Sequence, residues 1–409
     1  MEVVNKLALK LRNWEYTGLC LLVLFSLTMH FVVITQPDNL VYDEKFYVAD
    51  ARHILNGEGS DRIEHPPLGR LSIAGSMFLF GDNPFGWRFL GVLSGAACII
   101  IFYLICRQLG LSKKVSFIAT FLLSLENLSF IQSSIAMLDV YSLTFMLGAF
   151  LLYLKGRYLS SGLLIGLSAL AKLSGALGLL VIALHWLLTG RQRKKRFLAS
   201  MLSAPVSFLL LMPLFDFLVY RQWLNPFSQI ETMLRVSGAS TFALYPSEML
   251  SRPWEWIFKP EIITYWPDPN YIAMISPSLW ILIIPAALYM FYRASKGNLA
   301  ALFGSLWLAG TYLIWIPASL ITDRISYVYY FYPTVGAISI GVALGLSRLS
   351  NLRPDQHSGI FKYIQTLSTP VYLFIHLAVF VLLSPVAFFW KVTAGTVLYI
   401  STRFILKNE

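Results

Sequence analysis

Two adjacent carboxylates, Asp43 and Glu44, follow the first long apolar run of the chain and are its first candidates for chemistry. Residues 64–70, with the sequence EHPPLGR, then place Glu64 and His65 directly before a Pro-Pro pair, which favours an extended entry into the next segment. A carboxylate at the boundary between lipid and water has a raised basicity, because a lowered dielectric disfavours its charged form. Such a group can serve as a general base, although an acid pair taken alone is more often part of an ordinary acidic loop.

Charged side chains within or beside apolar runs are the second group of candidates. Arg88 opens one run, Asp139 and Lys172 each lie between two runs, and Arg324 follows the end of another. Each charge at the centre of a bilayer costs roughly a few kcal/mol or more, so these side chains either pair with one another or serve a site. For Arg88 and Lys172, which are cations near an acidic outer region, phosphate binding is the sharper interpretation.

We expect membrane helices to hold these residues in place. Of the 409 residues, 57% are hydrophobic and only 13% are charged. Globular domains carry roughly 25% charged residues. Uncharged runs of about 18 residues or more are long enough to cross a bilayer as helices. This composition excludes a soluble enzyme, a disordered chain and a disulfide-stapled secreted domain, and it predicts an all-α polytopic membrane protein.

The distribution of charge indicates how these helices cross the membrane. With a cytoplasmic N-terminus, the inner loops contain 20 of the 32 basic residues and only four acidic ones. This partition follows the positive-inside rule, so the net charge of +11 reflects orientation and not nucleic-acid binding. The runs predict a bundle of about 11–12 transmembrane helices, several of them short and therefore broken or packed. They lie near 16–35, 89–106, 115–134, 140–154, 158–171, 173–190, 197–215, 271–292, 298–322, 325–347, 363–385 and 386–402.

Two outer segments, 36–88 and 221–270, are too long and too polar to be simple turns. Loops longer than about 12–15 residues are usually functional or disordered, and the many aromatic residues and prolines here argue against disorder. We therefore predict one integral membrane domain over 1–409 without a separate soluble domain, with 36–88 as a catalytic loop and 221–270 as a second folded outer loop. Trp254 and Trp256 could stack on a sugar or a prenyl chain there, or belong to the interfacial aromatic belt.

Taken together, these motifs resemble the protein O-mannosyltransferases, a family of multi-span glycosyltransferases of the GT-C class. The resemblance is clearest over residues 37–176, patchier through 250–335 and weak beyond. In two respects the chain departs from the family: Glu64 stands where an aspartate is usual, and the second loop is too short for the soluble β-trefoil domain of eukaryotic members. The similar features are Asp43-Glu44, EHPPLGR at 64–70, Arg88, the Leu-Asp ending of 132–139, AKLSG at 171–175, SRPWEW at 251–256 and the arginine-aromatic-proline stretch at 323–333.

The resemblance implies an inverting transfer of a sugar, mannose in the family, from a polyprenyl-phosphate donor to a Ser or Thr hydroxyl of a protein. A single displacement needs one carboxylate base behind the anomeric carbon and no enzyme nucleophile. Asp43 is then the expected base, and Glu44 is expected to orient the loop or the acceptor. The lipid phosphate leaves as a stable anion, so it needs cations to hold its charge and no general acid.

The remaining roles are also carried over from the resemblance. Arg88 is expected to bind the donor phosphate, with Lys172 or Arg324 as a second cation. Glu64 and Asp139 are candidates for binding sugar hydroxyls or for holding Arg88. The other residues assigned to sugar or acceptor binding are His65, Trp254 and Trp256.

Arabinose-transferring lipid A enzymes of the same class imply that a divalent metal near Asp43 and Glu44 is worth considering as the cofactor. His65 could serve such a site, although a lone histidine before Pro-Pro is more often structural. The expected partners are the polyprenyl-phosphate-linked sugar, a protein or peptide acceptor and the lipid bilayer. The expected location is a prokaryotic plasma membrane, with a cytoplasmic N-terminus and the active site on the outer face.

Two alternatives remain open from the sequence. The same class of enzyme could act on a lipid or glycan acceptor with another sugar, as the arabinose transferases do. A transporter or flippase of a polyprenyl-linked substrate would also carry intramembrane charges. Two features count against a transporter. The sequence has no internal repeat that relates its two halves, and the long, folded outer loops carry most of the acidic residues.

Overall fold

In the computed structural model, the chain is a bundle of helices with one small hairpin of strands; the structure describes residues 2–189, 194–245, 247–351 and 359–387. The helices are α1 (Glu2–Val33), α2 (Glu44–Asn56), α3 (Pro67–Phe80), α4 (Pro84–Gln108), α5 (Lys113–Ser124), α6 (Asn127–Ser134), α7 (Asp139–Leu154), α8 (Tyr158–Ala171), α9 (Leu177–Leu188), α10 (Lys194–Tyr220), α11 (Pro226–Ala239), α12 (Glu255–Phe258), α13 (Pro277–Trp280), α14 (Ile283–Ser295), α15 (Leu299–Leu308), α16 (Trp315–Thr322), α17 (Val335–Ser350) and α18 (Gly359–Leu383). Short 3₁₀ turns cover Leu173–Ala176 and Val328–Thr334, a π turn covers Ala309–Leu313, and the strands are β1 (Ile263–Trp266) and β2 (Tyr271–Ala273).

The predicted polytopic, all-helical fold is confirmed. Within the described ranges, six helical stretches are long and apolar enough to cross a membrane, or seven if α5 and α6, which meet at a 58° bend, form one broken span. Three further apolar helices are shorter, as expected for broken or packed helices: Asp139–Leu154, Tyr158–Ala171 and Leu173–Leu188. The predicted final span, 386–402, lies outside the described residues except for its first two positions. The six stretches are Tyr16–Val33, Pro84–Gln108, Lys194–Tyr220, Leu299–Thr322, Val328–Ser350 and Gln365–Leu383.

The break between α5 and α6 has a clear local cause in Glu126. Its backbone is extended, and its carboxylate caps α6 by accepting the N–H of Ser129 at 2.7 Å. The other carboxylate oxygen accepts the N–H of Ser276 at 2.8 Å, just after strand β2. The buried acid therefore joins the helix break to the segment that follows the hairpin, and both oxygens of its carboxylate have a partner.

Small residues let α8 and α10 approach each other closely. A Cβ atom added at Gly162 or Gly166 would lie 2.0 Å from the hydroxyl of Ser203 or Ser207 on α10. Glycines spaced by four residues on one helix face are a common way to bring membrane helices together. This packing holds α8 against α10, and the chain turns extended at Lys172, directly after α8.

The two outer loops fold against each other and against the bundle. In the first loop, Arg70 is 1% exposed and binds Asp50, Ser60 and the carbonyl of His65. In the second loop, the antiparallel hairpin sends the Tyr271 hydroxyl to the carbonyl of Gln36, at 2.7 Å. The loops therefore form one folded surface above the helices, which is where the functional candidates meet.

Candidate active site

Asp43 stands at the start of α2 and lines a cavity of about 390 Å³ between the two outer loops. No hydrogen bond or ion pair of its side chain is found within the described part of the chain, and the side chain is half-buried. The pKa of Asp43 is raised from 3.8 to about 6, mainly by burial and also by the nearby charge of Asp139, against the lowering effect of Lys172, Arg62 and Lys45. The carboxylate is thus unengaged and more basic than usual, as a general base requires.

A second, narrower cavity of about 60 Å³ continues from the first. It extends to Leu177, Trp315 and Pro333, which belong to apolar helical segments of the bundle. The combined space has a wide polar part beside the outer loops and a narrow, more apolar arm. Six residues line both parts: Glu64, His65, Lys172, Ser237, Arg324 and Tyr330.

Lys172 and Asp139 form a buried ion pair at the junction of the two cavities. The Lys172 ammonium lies 2.7 and 2.8 Å from the two carboxylate oxygens, and the side chains are 11% and 5% exposed. The ammonium also lies 5.3 Å and 5.2 Å from the ring centroids of Tyr329 and Tyr330. Asp139 therefore holds the lysine in place, and Lys172 presents a positive charge to both cavities.

Arg324 is the second cation that lines both cavities. Its Nε atom is buried and has no hydrogen-bond partner among the described residues. The neighbouring Asp323 is engaged elsewhere, since Arg252 donates to it at 2.6 Å. A buried guanidinium N–H without a partner is a donor ready for an anion, so Arg324 fits the predicted phosphate-binding role.

Glu44 and Arg88 are brought together, but away from the cavity. The Arg88 guanidinium donates to both Glu44 oxygens, at 2.9 and 2.8 Å, and both side chains are fully buried. The Glu44 carboxylate also accepts the backbone N–H groups of Val41 and Ala136, each at 2.8 Å. The remaining donors of Arg88 bind four backbone carbonyls, those of Ile34, Gln36, Pro37 and Asn39.

Two predictions about Arg88 therefore do not fit the structure. All five of its N–H donors are used inside the protein, so it has none to offer a donor phosphate. Glu64 and Asp139 do not hold it either, because Glu64 contacts Arg62 at 3.3 Å and Asp139 pairs with Lys172. The geometry gives Arg88 a structural role, in which it fixes the segment that leads from α1 to Asp43.

Glu64 and His65 line both cavities, and their assignment to sugar or acceptor binding stays a prediction. The His65 Nε2 atom lies 3.2 Å from the Tyr47 hydroxyl, and its backbone carbonyl accepts a hydrogen bond from Arg70 at 2.9 Å. Burial, and then the positive charges of Lys172 and Arg70, lower the pKa of His65 well below its usual value. His65 is therefore a neutral part of the cavity wall at physiological pH.

The predicted roles of Trp254 and Trp256 are not supported by their positions. Trp256 is 0% exposed, donates its ring N–H to Ser251 at 2.9 Å, and packs in the core. Trp254 lies over the guanidinium of Arg252, at 5.8 Å, and does not line either cavity. The tryptophans are held by the packing of the second loop, because their large apolar surfaces gain more from burial than from solvent.

Sequence reasoning missed several residues of the cavity wall. Arg62 and Phe46 stack on each other, with 3.8 Å between the guanidinium and the ring centroid, and both line the wide cavity. Ser237 reaches both cavities from α11. Arg62 could have been predicted as a site residue, because it lies two residues before Glu64 in the sequence. Ser237 could not, because a single serine on a loop helix gives no indication of a site.

The residues present do not fit a divalent metal near Asp43 and Glu44. The oxygens of Glu44 already accept four hydrogen bonds from Arg88 and the backbone, which leaves Asp43 as a single carboxylate there. Across the ranges that the structure covers, no group of three or more His, Cys, Asp or Glu side chains could hold a metal ion. A hard divalent cation requires several oxygen ligands, which these two acids do not provide.

Comparison with known families gives a match over most of the membrane bundle. A family model described as Glycosyltransferase family 87 matches residues 77–317. This stretch covers more than half of the chain and includes Asp139 and Lys172.

Curated relatives agree with the resemblance read from the sequence. A polyprenol-phosphate-mannose–protein mannosyltransferase of Mycobacterium tuberculosis is 34% identical over 148 residues, which cover 34% of this chain and 28% of that protein. The same-named protein of Corynebacterium glutamicum is 22% identical over 80% of this chain and 82% of its own length. The chain thus matches only 24–28% of the length of the mycobacterial relatives.

Solved structures confirm the predicted GT-C-type fold. The protein O-mannosyltransferase Pmt1–Pmt2 complex of S. cerevisiae, bound to the sugar donor, has a TM-score of 0.72 at 11% identity and covers 90% of this chain and 89% of the solved one. ArnT of Cupriavidus metallidurans, bound to undecaprenyl phosphate, has a TM-score of 0.60 at 16% identity and covers 89% of this chain and 71% of the solved one.

Proposed function

The chain belongs to glycosyltransferase family 87, and we propose that it transfers mannose from a polyprenyl-phosphate donor to a Ser or Thr hydroxyl of a protein. One observation carries this proposal. The unengaged carboxylate of Asp43 faces the same cavity as two cations, Lys172 and Arg324, at the mouth of an apolar arm. The names of the mycobacterial and corynebacterial relatives support mannose as the sugar and a protein as the acceptor.

In the proposed chemical step, Asp43 acts as the general base. Its carboxylate accepts the proton of the acceptor hydroxyl while the hydroxyl oxygen attacks the anomeric carbon from the side opposite the phosphate. The new glycosidic bond forms as the bond from the anomeric carbon to the phosphate oxygen breaks, and the configuration at that carbon inverts. The raised pKa of Asp43, about 6, leaves it ionised at neutral pH and still basic enough to share the proton.

The leaving group is a lipid phosphate, whose negative charge grows as the bond breaks. Arg324 offers its unpartnered Nε, and Lys172 adds a charge held in place by Asp139. Donors that are already oriented towards the developing charge stabilise it without reorganisation. The prenyl chain would follow the narrow arm past Leu177 and Trp315, towards the lipid.

We further propose that the site faces the outside of a prokaryotic plasma membrane, with the N-terminus in the cytoplasm. The charge partition between the loops supports this orientation, because inner loops carry the basic excess in membrane proteins. The bacterial sources of the relatives support the choice of membrane.

The proposal is tested with purified protein in liposomes, radiolabelled polyprenyl-phosphate mannose and a Ser/Thr-rich peptide. We expect label on the peptide that is released by β-elimination, and loss of this label in Asp43→Asn. Asp61→Asn is the matched control, since Asp61 belongs to the same loop with its side chain 86% exposed. Label found only in an organic extract would show that the acceptor is a lipid and not a protein. If the wild-type protein did not consume the donor at all, the proposal would be overturned.

A further inference from the structure

The residue directly before the proposed base has an unusual backbone. Tyr42 has a φ of 50°, a left-handed conformation that non-glycine residues rarely adopt. Such a conformation persists only where the surrounding structure imposes it, and it occurs most often at functional sites. Since Tyr42 is linked to Asp43 by one peptide bond, whatever holds Tyr42 also sets the direction of the Asp43 side chain.

The contacts that hold Tyr42 come from strand β1 of the second outer loop and from the 3₁₀ turn at Val328–Thr334. Its ring stacks on that of Tyr265, with 4.0 Å between centroids and 11° between planes. Tyr329 approaches edge-on, at 6.3 Å and 81°. The Tyr42 ring is therefore fixed by side chains from two distant parts of the chain.

Tyr265 is in turn fixed to the bundle. It is 6% exposed, and its hydroxyl accepts a hydrogen bond at 2.9 Å from Gln132, a fully buried residue of α6. The strand that carries Tyr265 pairs with β2, whose Ile272 carbonyl accepts a hydrogen bond from Asn127 of the same helix. Helix α6, strand β1 and the start of α2 thus form one continuous series of contacts that ends at Asp43.

This series explains how Asp43 stays unpaired beside cations. The positive charges of Lys172, Arg62 and Lys45 all lower the pKa of Asp43. In the region that the structure describes, Asp43 nevertheless forms no ion pair with any of the three, and Lys172 pairs with Asp139 instead. If the backbone of Tyr42 relaxed, the carboxylate could turn towards a cation or towards solvent. Either change would lower its basicity and misdirect it.

We propose that Gln132, Tyr265 and Tyr42 are positioning residues, which hold the carboxylate of Asp43 in the cavity and away from its neighbouring cations. This inference rests on the proposed role of Asp43 as the base. The second outer loop would thus serve the first outer loop. Its hairpin sets the orientation of the Asp43 side chain at the start of α2.

The test measures transfer as a function of pH in three variants. Tyr265→Leu removes the stacking partner, and Tyr42→Gly keeps a residue that tolerates the positive φ while it removes the ring. Tyr42→Phe keeps the ring and is the conservative variant. Tyr245→Leu, at a tyrosine of the same loop that is 56% exposed, is the matched control.

We expect kcat to fall on the order of 10²-fold in Tyr265→Leu and Tyr42→Gly, because small misplacements of a reacting group are costly. The KM for the donor should stay within about twofold. The midpoint of the pH profile should move below 6, since a solvated or cation-paired Asp43 regains a lower pKa than its present value of about 6. Tyr42→Phe and Tyr245→Leu should keep the wild-type midpoint.

The outcomes separate this inference from the proposed function. If Asp43→Asn keeps normal transfer, the proposed base is wrong and the inference falls with it. If Asp43→Asn is inactive while Tyr42→Gly keeps wild-type kcat and midpoint, only the positioning role is overturned. Tyr42→Gly decides the case even if Tyr265→Leu does not fold, because glycine accepts the backbone conformation at position 42.

Discussion

Asp43 and Glu44 are neighbours in sequence and opposites in environment. The Glu44 side chain is fully buried and accepts four hydrogen bonds from Arg88, Val41 and Ala136. Asp43 is half-buried, lines the cavity, and engages no partner within the described ranges. The start of a helix points consecutive side chains in different directions, so one acid of the pair anchors the loop and the other stays available for chemistry.

The same contrast holds for the cations. Arg88 has used every donor on Glu44 and the backbone, whereas Arg324 keeps a buried Nε without a partner and Lys172 lines both cavities. Cations at the membrane boundary can thus stabilise the fold or serve the site. The two roles are distinguished by whether the N–H donors of the cation are already hydrogen-bonded within the protein.

Asp43→Asn should lower kcat by about 10²–10⁴-fold without changing stability, because it removes only the proposed general base. The matched experiment is Glu44→Gln, which should instead lower the thermal midpoint of unfolding because it weakens a buried ion pair. Transfer rates and thermal unfolding in the same detergent measure both effects. A stable, fully active Asp43→Asn would reverse the assignment of the two acids.

Arg88→Met should destabilise the protein by about 3–5 kcal/mol, since it leaves the buried carboxylate of Glu44 without its partner. Arg52→Met is the control, because Arg52 pairs with Asp82 at 2.7 Å with side chains 39% and 48% exposed. An exposed pair of this kind contributes only about 0–1 kcal/mol. Denaturant titration of both variants checks the difference, and an unchanged stability of Arg88→Met would contradict its structural role.

Arg324→Ala should lower kcat/KM by about 10²-fold, as expected for the loss of one donor to a developing negative charge. Arg324→Lys should keep part of the activity because the charge remains. Arg235→Ala, on the exposed face of α11, should be neutral. Normal transfer by Arg324→Ala would leave Lys172 as the phosphate-binding cation.

The pH profile of kcat/KM should show the smallest effect. Only the ionised form of Asp43 accepts a proton, and its pKa is raised to about 6. Activity should therefore fall about tenfold per pH unit below 6 and level off above it. A midpoint near 4 would indicate a carboxyl with an ordinary pKa and contradict the buried setting of the base.

Much of this arrangement could be predicted from the sequence. Lys172, Arg324, Glu64 and His65 were all placed on the outer side, and the structure brings them to one pair of connected cavities. Lys172 and Arg324 could be singled out because a charge next to an apolar run is costly, and such a residue therefore marks a site or a pair. The helical, polytopic fold followed from the same apolar runs, since lipid leaves the backbone few alternatives.

The roles of Arg88 and Trp256 could not be predicted in this way. In the sequence, an arginine that binds a ligand at the start of a span cannot be distinguished from one that stabilises a loop. The four backbone carbonyls that accept hydrogen bonds from Arg88 cannot be predicted from residue types. A tryptophan in an outer loop is equally ambiguous, because only tertiary packing decides that Trp256 is buried. The stack of Tyr42 on Tyr265 joins residues more than two hundred positions apart, a distance that single-sequence patterns do not reach.

The shape of the two connected cavities bears on how the reaction would finish. The wide part lies between the outer loops, while the narrow arm runs past Leu177 and Trp315. Under the proposed reaction, the glycosylated acceptor would depart into the aqueous phase and the spent lipid phosphate sideways into the bilayer. In that case the two products would leave from different parts of the site, and neither would have to wait for the other.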